Sequence, residues 1–417
     1  MVCGAFALVV GSVAALRLAG RGGVAKAHAG GPNDMEDPIA MKVASQDKPP
    51  VAAMAPPFAG LDLSHIAFEG TEAIAPIAGK RTAHLTVDAR LQKIAVATLK
   101  QHKLPEASIV MMDPDTGAIL AYASRSEQSH SSRDLAIEAT APSASVFKLV
   151  TASALVEKDG ATPQTRECFP RSAEQRVLTA DLVRDPLRDK WCMTLATAMG
   201  KSENAVFARM AHDHLDKASL ENAARALGYG APIAFDVPVQ PSKLEIPEEP
   251  LQFARTAAGF WNTTLSPLHA ALVSATVARD GEMPRAHIVA RVTNETGRVE
   301  YEAKPESHRA ITVAAAQALT TMMEHTVSEG TSYRAFHDAR RASFVPATVA
   351  GKTGTLSSED HLYTWFTGFA PSHAKPGEKR VAIAVLVVNR PKWHVKANVV
   401  AREMLREYFH EDKVASR

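Results

Sequence analysis

The chain contains 417 residues, of which 46% are apolar and 22% are charged. These proportions are usual for a folded protein and exclude wholesale disorder, a collagen-like repeat and a multispan membrane protein. The 47 basic and 45 acidic side chains nearly cancel, and the resulting net charge of +2 excludes the basic footprint of a nucleic-acid-binding domain. Three cysteines are too few for a disulfide scaffold and lack the spacing of a structural zinc site. Nothing in the sequence calls for a cofactor or a metal ion.

The first 29 residues are predicted to be a signal peptide or a membrane anchor. Small and apolar side chains run without interruption from Val2 to Leu16. This run is shorter than the about 20 residues of a membrane span, but it suits the apolar core of an export signal. Ala27-His28-Ala29 offers a cleavage site, although no basic residue precedes the run. A buried N-terminal helix is the alternative.

Residues 30–83 are rich in alanine and proline, including the pairs Pro49-Pro50 and Pro56-Pro57. Proline interrupts helices and central strands, so this segment is predicted to be a tether. Periodic structure is expected from residue 84 onwards. Asp88 can cap a helix with Leu91, Ile94, Ala95 and Leu99 on one face. The apolar runs 107–112 and 118–123 flank a turn at 113–117 and predict a hairpin.

The first candidate for chemistry is Ser145 with Lys148. They fall in the first turns of a predicted helix entered after Pro142, and the spacing of i and i+3 puts both side chains on one face. A lysine buried among apolar neighbours can have its pKa lowered enough to deprotonate a serine. The pattern alone is weak evidence, because Ser45 with Lys48 and Ser372 with Lys375 have the same spacing.

Two later segments strengthen the candidate. Ser202 and Asn204 follow a long helical stretch, and Lys352-Thr353-Gly354-Thr355 ends an apolar strand. Alternation along a strand places Lys352 and Gly354 on one face and the two threonines on the other. A glycine lets a substrate backbone approach, and lysine with threonine hydroxyls suits a carboxylate. The alternative is an ordinary edge strand that uses a lysine against aggregation.

This ordered set of motifs resembles the transpeptidase domain of penicillin-binding proteins, which belongs with the serine β-lactamases in a wider group of serine acyl-transferases. Further segments resemble the family in the right order, and the resemblance covers roughly residues 84–410. These segments are 85–92, 110–124, 265–271, 329–332, 365–371 and 381–388. The resemblance implies an α+β fold with a central antiparallel sheet of about five strands, flanked by helices. The domain would span 84–412, with a mostly helical subdomain at about 153–280.

The resemblance also implies a role for each motif residue. Ser145 would be acylated, Lys148 would take its proton, Ser202 would relay a proton to the leaving amine, and Asn204 would hold the substrate amide and Lys148. Lys352, Thr353 and Thr355 would bind the donor carboxylate beside Gly354, and the backbone N–H groups of Ser145 and Thr355 would form the oxyanion hole. The reaction would be D,D-transpeptidation between peptidoglycan stem peptides, outside the cytoplasmic membrane, with β-lactams as covalent inhibitors and other wall-synthesis proteins as partners.

The sequence departs from the family's motifs in two places. The common Pro-Gly before the serine is replaced by Pro142-Ser143-Ala144, so the entry turn could differ. A common Gly-Gln-Gly stretch is replaced by Gly259-Phe260-Trp261-Asn262, which leaves the shape of the substrate cleft open.

The fate of the acyl group also has alternatives. Glu245, Glu248 and Glu249 lack the spacing of a deacylation base, which favours transpeptidation over a D,D-carboxypeptidase or a β-lactamase. A non-catalytic sensor or scaffold is the alternative of another class.

Two further side-chain groups have two interpretations each. Cys168 and Cys192 could form a disulfide worth about 3 kcal/mol, or could be two reduced thiols. The two histidines of His212-Asp213-His214 could be metal ligands. Residues i and i+2 on a helix face in different directions, however, which favours a solvated helix end.

Overall fold

A computed structural model describes residues 58–127, 133–170, 178–179, 189–375, 377–390 and 393–415. The predicted export signal and the first part of the predicted tether lie outside these residues. Among the helices that are described, none combines the length and the apolar character needed to cross a membrane.

The central element is a five-stranded antiparallel sheet in the order β14-β15-β16-β4-β5. Its strands come from both ends of the domain, which confirms the predicted α+β architecture. The hairpin strands are β4 (Glu106–Met112) and β5 (Ile119–Ser126). The strands from the C-terminal end are β14 (Ala350–Ser357), β15 (Leu362–Ala370) and β16 (Val381–Asn389).

Alternation along the buried strands divides the apolar core between the two faces of this sheet. In β4, Ile109 and Met111 pack on one face, and Val110 and Met112 on the other. The first face carries α1 (Ala89–Gln101) and α10 (Ala397–Ala415), which contact each other as well as the sheet. As predicted, the carboxylate of Asp88 accepts a hydrogen bond from the N–H of Leu91 and caps α1.

The second face is covered by helices that lead to the helical subdomain. Between residues 148 and 278, the described part of the chain forms the helices α2 (Lys148–Asp159), α3 (Leu195–Lys201), α4 (Asn204–His214), α5 (Lys217–Ala226), α6 (Pro250–Ala257) and α7 (Pro267–Ala278). Two later helices are α8 (Val313–Ser328) and α9 (Tyr333–Phe336). Short strands join them: β6 (Ala141–Pro142) pairs with β9 (Thr264–Leu265), and β10 (Glu282–Pro284) with β13 (Ser307–Arg309). The predicted mostly helical subdomain is therefore confirmed.

A disulfide closes the loop ahead of α3. Strand β7 (Arg166–Phe169) pairs with β8 (Trp191–Thr194), and the register places Cys168 opposite Cys192. Their sulfur atoms are bonded. Buried Arg209 supports this hairpin by donating to the carbonyl of Cys168 at 2.7 Å and to Asp189 at 2.5 Å. The structure thus selects the disulfide over the two thiols that the sequence left equally open.

The structure differs from the predicted tether over residues 58–83. A second five-stranded sheet, in the order β1-β2-β3-β11-β12, begins in that segment. Its strands are β1 (Ala67–Glu69), β2 (Glu72–Ile77), β3 (Arg81–Leu85), β11 (Val289–Thr293) and β12 (Val299–Glu302). Ala73, Ala75 and Ile77 face the apolar core, while Pro76 is exposed. The prediction was wrong here because alternating small residues and a single proline suit a strand that faces water on one side.

Substitution of Ala75 tests this correction. The side chain is fully buried, so Ala75→Asp should lower the free energy of unfolding by about 3 kcal/mol or more, because the carboxylate would be buried without a partner. Urea unfolding followed by circular dichroism measures the change. Thr71→Asp adds the same charge at an exposed turn before β2 and should be nearly neutral. Equal and small effects of both variants would contradict the buried strand and support the tether predicted from the sequence.

Candidate active site

The candidate nucleophile Ser145 lies in a 3-10 turn, Ala144–Phe147, which runs directly into α2. Lys148 is the first residue of that helix, and its Nζ lies 2.8 Å from the Ser145 Oγ. Ala144 adopts a left-handed backbone with φ of 48°, at the position where the sequence lacks the common glycine. The turn therefore carries a strained non-glycine residue directly before the serine.

The Lys148 amine is surrounded by acceptors that come from distant segments. Its Nζ donates to Asn204 Oδ1 at 2.7 Å and to the carbonyl of Ala258 at 2.5 Å. The side chain is fully buried, and the Phe207 ring centroid lies 5.6 Å from the Nζ. Burial lowers the pKa of Lys148 to about 7, although the nearby Glu203 carboxylate acts in the opposite direction. A large fraction of Lys148 therefore carries a neutral amine near pH 7.

Hydrogen-bond geometry then assigns a direction to the third contact of Lys148. The amide oxygen of Asn204 and the carbonyl of Ala258 can only accept, so a neutral amine uses both of its N–H groups on them. Its lone pair is left for the Ser145 hydroxyl, which donates. This arrangement suits the transfer of a proton from serine to lysine.

A second lysine and serine lie beside the first pair. Lys352 Nζ donates to Ser202 Oγ at 2.8 Å and to the carbonyl of Thr353 at 2.7 Å. Burial, together with the positive charge of Lys148, holds the pKa of Lys352 well below its usual value. Ser202 ends α3 in a left-handed conformation with φ of 58°, so the Ser202-Glu203-Asn204 corner turns sharply into α4.

Strand β14 brings Lys352 to the site along the edge of the central sheet. Lys352 and Gly354 are buried and Thr355 is exposed, in keeping with the predicted alternation. A Cβ added to Gly354 would lie 3.2 Å from the Ala144 Cβ, so the glycine allows the strand to pass against the turn of the nucleophile. Thr353 Oγ1 lies 2.6 Å from Thr331 Oγ1. All eight motif residues are thus drawn together from three segments.

The sequence reasoning missed three features of the site, each of which involves a backbone contact. The acceptor for Lys148 at Ala258 is a backbone carbonyl, which leaves no trace in side-chain patterns. Gly259 has φ of 87°, and a Cβ there would lie 2.4 Å from the carbonyl oxygen of Ala144 and 2.9 Å from the Ser145 Cα. The sequence did contain a signal for the conformation of Gly259, because a glycine just after a helix often adopts a left-handed backbone and ends the helix. The third feature is a hydrogen bond that Trp365 Nε1 donates to the carbonyl of Pro142 at 2.9 Å.

The remaining candidate groups are engaged elsewhere. Glu245 pairs with Lys243, Glu248 pairs with Lys217, and Glu249 caps α6. His212 contacts Asp213, and His214 contacts Asp159, at the end of α4. Within the described ranges, no group of three or more His, Cys, Asp or Glu side chains is placed to share a metal ion.

The lowered pKa of Lys148 predicts a pH-dependent stability. Between pH 7 and about 10 the unfolded chain binds the lysine proton and the folded chain does not, so the folded state gains stability as pH rises. Relative to Lys148→Met, the wild-type free energy of unfolding should increase by up to about 1.4 kcal/mol per pH unit. Urea unfolding at pH 7, 8 and 9 measures this difference. The matched change at exposed Lys93 on α1 should give a flat difference, and a flat result for Lys148→Met would contradict a lowered pKa.

Comparison with known proteins agrees with this geometry. Residues 107–406 match the family model of the penicillin binding protein transpeptidase domain. A curated relative, the peptidoglycan D,D-transpeptidase PbpA of Mycobacterium tuberculosis, is 25% identical over 347 residues, which cover 73% of this chain and 66% of the relative. Penicillin-binding protein 2a of Streptococcus pneumoniae is 34% identical over 110 residues, which cover 25% of this chain and 14% of the relative. The chain therefore spans just under two thirds of the PbpA sequence.

Solved structures show the same fold. The D,D-transpeptidase domain of a peptidoglycan glycosyltransferase from Eggerthella lenta has a TM-score of 0.63 and 25% sequence identity, and covers 80% of this chain and 84% of its own. PBPA from M. tuberculosis has a TM-score of 0.64 at 21% identity, with 78% and 79% covered. The family match extends over well more than half of the residues, so the chain belongs to the penicillin-binding protein transpeptidase family.

Proposed function

We propose that this protein is a peptidoglycan D,D-transpeptidase that acts through an acyl-enzyme on Ser145. The observation that carries the proposal is the contact of Lys148 Nζ with Ser145 Oγ inside a buried network that favours the neutral amine. The named activity of the PbpA relatives supports the same reaction. The substrate would be the D-alanyl-D-alanine terminus of a stem peptide.

In the first half-reaction, Ser145 Oγ attacks the carbonyl carbon of the scissile amide while its proton passes to Lys148. The C–N bond breaks, and Ser202 delivers its proton to the departing amine of D-alanine while it takes a proton from Lys352, which contacts it. Asn204 keeps Lys148 in place and offers its amide group to the substrate. The product is an ester on Ser145 and free D-alanine.

Strand β14 supplies the binding groups of this mechanism. Lys352, Thr353 and Thr355 hold the carboxylate of the donor peptide, and Gly354 lets the backbone of β14 approach the serine. As the outer strand of its sheet, β14 has N–H groups that face away from β15, and the N–H of Thr355 would complete an oxyanion hole with that of Ser145.

β-Lactams would acylate the same serine. The structures of M. tuberculosis PBPA include acyl-enzyme complexes with imipenem and with penicillin G. The reaction also implies a location outside the cytoplasmic membrane, in keeping with the export signal or anchor predicted for residues 1–29. Other wall-synthesis proteins are the expected partners.

Covalent labelling with a fluorescent penicillin tests the nucleophile. Ser145→Ala should abolish the label on a denaturing gel, because no other hydroxyl lies within 2.8 Å of Lys148 among the described contacts. Ser372→Ala is the matched control, since Ser372 has the same spacing to a lysine, and it should label normally. A label that survives Ser145→Ala would refute the assignment. Rapid turnover of the label would favour a β-lactamase, and no label on the wild type would favour a sensor or scaffold.

The close approach of Gly259 to the nucleophile turn gives a second test. Gly259→Ala should slow acylation by penicillin at least tenfold, since the added Cβ must displace the Ala144 carbonyl and hence Ser145. Gly297→Ala has a similar φ of 81° with nothing within 4 Å of the added Cβ. It should carry the backbone cost alone, about 1 kcal/mol of stability, and acylate at the wild-type rate. Equal acylation rates in both variants would show that Gly259 does not shape the site.

A further inference from the structure

A cavity lies close to strand β14. It has a volume of about 470 Å³ and lies between the turn after α8 and the start of α10. The polar side chains that line it are Glu329, Thr331, Tyr333, Arg334, Lys396 and Asn398. We call it the Thr331 cavity. None of these residues has a role in the mechanism above.

The charge in this cavity favours an anion. Arg334 and Lys396 are both exposed, and the Lys396 Nζ also lies 5.1 Å from the centroid of the Trp393 ring. Glu329 is the one carboxylate in the described lining, and its Oε1 already accepts from His325 Nδ1 at 2.7 Å. The cavity lining therefore has two cations and one carboxylate, and that carboxylate is already hydrogen-bonded to His325, so the net charge of the lining is positive.

Asn398 provides independent evidence for a ligand. It lies in the first turn of α10 with 4% of its surface exposed, and its Nδ2 donates to Ser332 Oγ at 3.2 Å. Within the described part of the chain, its Oδ1 has no hydrogen-bond partner. A buried acceptor in the wall of a polar cavity is costly when unmet, so a donor should occupy it in the working protein. The N–H of a peptide, or a water that enters with it, would serve.

The cavity is joined to the catalytic strand by one contact. Thr331 lines the cavity, and its Oγ1 lies 2.6 Å from the Oγ1 of Thr353, the residue after Lys352. In the proposed mechanism, Lys352 and Thr353 hold the carboxylate of the departing D-alanine. The amine that replaces D-alanine attacks the same carbonyl carbon, so a chain extending from that amine past Thr353 and Thr331 would lie along the Thr331 cavity.

We propose that the Thr331 cavity binds a second carboxylate on the amine acceptor, so that this enzyme prefers acceptors with two carboxylates. The inference rests on the proposed function. In the transfer step, the acceptor nitrogen bonds to the ester carbonyl carbon and the bond to Ser145 Oγ breaks. That oxygen takes the proton held by Lys148, and the proton lost by the amine returns through Ser202 to Lys352. Arg334 and Lys396 hold the second carboxylate throughout and leave acylation of Ser145 unaffected.

A matched pair of acceptors tests the proposal. A thioester analogue of an acyl-D-alanyl donor is supplied with D-glutamate or D-glutamine, which have the same size and differ in one charge. Chromatography measures the ratio of aminolysis to hydrolysis. The wild type should favour D-glutamate about fivefold, as expected for two exposed cations, and added salt should reduce the preference. Arg334→Gln with Lys396→Gln should bring the preference close to one, at an unchanged acylation rate.

The control removes two exposed cations elsewhere, by Lys100→Gln with Arg298→Gln, and should keep the preference. The proposal is overturned if the wild type does not discriminate, if the cavity variant still does, or if that variant acylates more slowly, which would place the two cations on the donor.

Failure of the proposed function has a different signature, because then neither amine accepts the acyl group. Saturation-transfer NMR of D-glutamate with Ser145→Ala protein still reads the cavity without any chemistry. A D-glutamate signal that is unaffected by the two cavity substitutions would overturn the inference even then.

Discussion

The structure depends most on the burial of two lysine side chains next to each other. Lys148 and Lys352 are both fully buried, and a positive charge on Lys148 disfavours one on Lys352. A buried ammonium without partners costs several kcal/mol, so the surrounding fold must hold acceptors for both. Those acceptors come from the turn before α2, from Ser202 and Asn204 at the start of α4, from the end of α6 and from β14 itself. The same contacts that make the two lysines tolerable also assemble the site, which couples correct folding to chemistry.

Close backbone approach is the second requirement of this arrangement. The turn at Ala144 is flanked on one side by Gly354 and on the other by Gly259, and a side chain at Gly259 would collide with the Ala144 carbonyl. The left-handed conformations of Ala144 and Ser202 store strain at the two corners that present Ser145 and Asn204. Packing around the corners maintains that strain: Trp365 binds the carbonyl of Pro142, and the Phe147 ring packs edge-on against Tyr229. The motif residues of the site are therefore held in place by well-packed neighbours.

Local patterns in the sequence predicted the local parts of this structure. The spacing of Ser145 and Lys148, the cap at Asp88 and the alternation in β14 each depend on a few adjacent residues, and each agrees with the structure. The convergence of Lys148, Asn204 and Lys352 could be expected only from the resemblance to a family, because no local signal joins residues so far apart. The ordered segment at 58–83 was missed for a related reason, since β3 pairs with β11 about 200 residues later. The Ala258 carbonyl has no sequence signature at all.

The proximity of the two lysines has a consequence for the proposed chemistry. When Lys148 accepts the serine proton, its new positive charge makes a charge on Lys352 less favourable, because both lie in a poorly solvated interior. Lys352 donates to Ser202, so this repulsion favours movement of a proton through Ser202 towards the departing amine at the moment when that amine needs it. Glu203, between Ser202 and Asn204, acts against the effect by stabilising the charge on Lys148. The net charge of +2 conceals this local balance, which involves Lys148 on α2, Glu203 at the corner before α4 and Lys352 on β14.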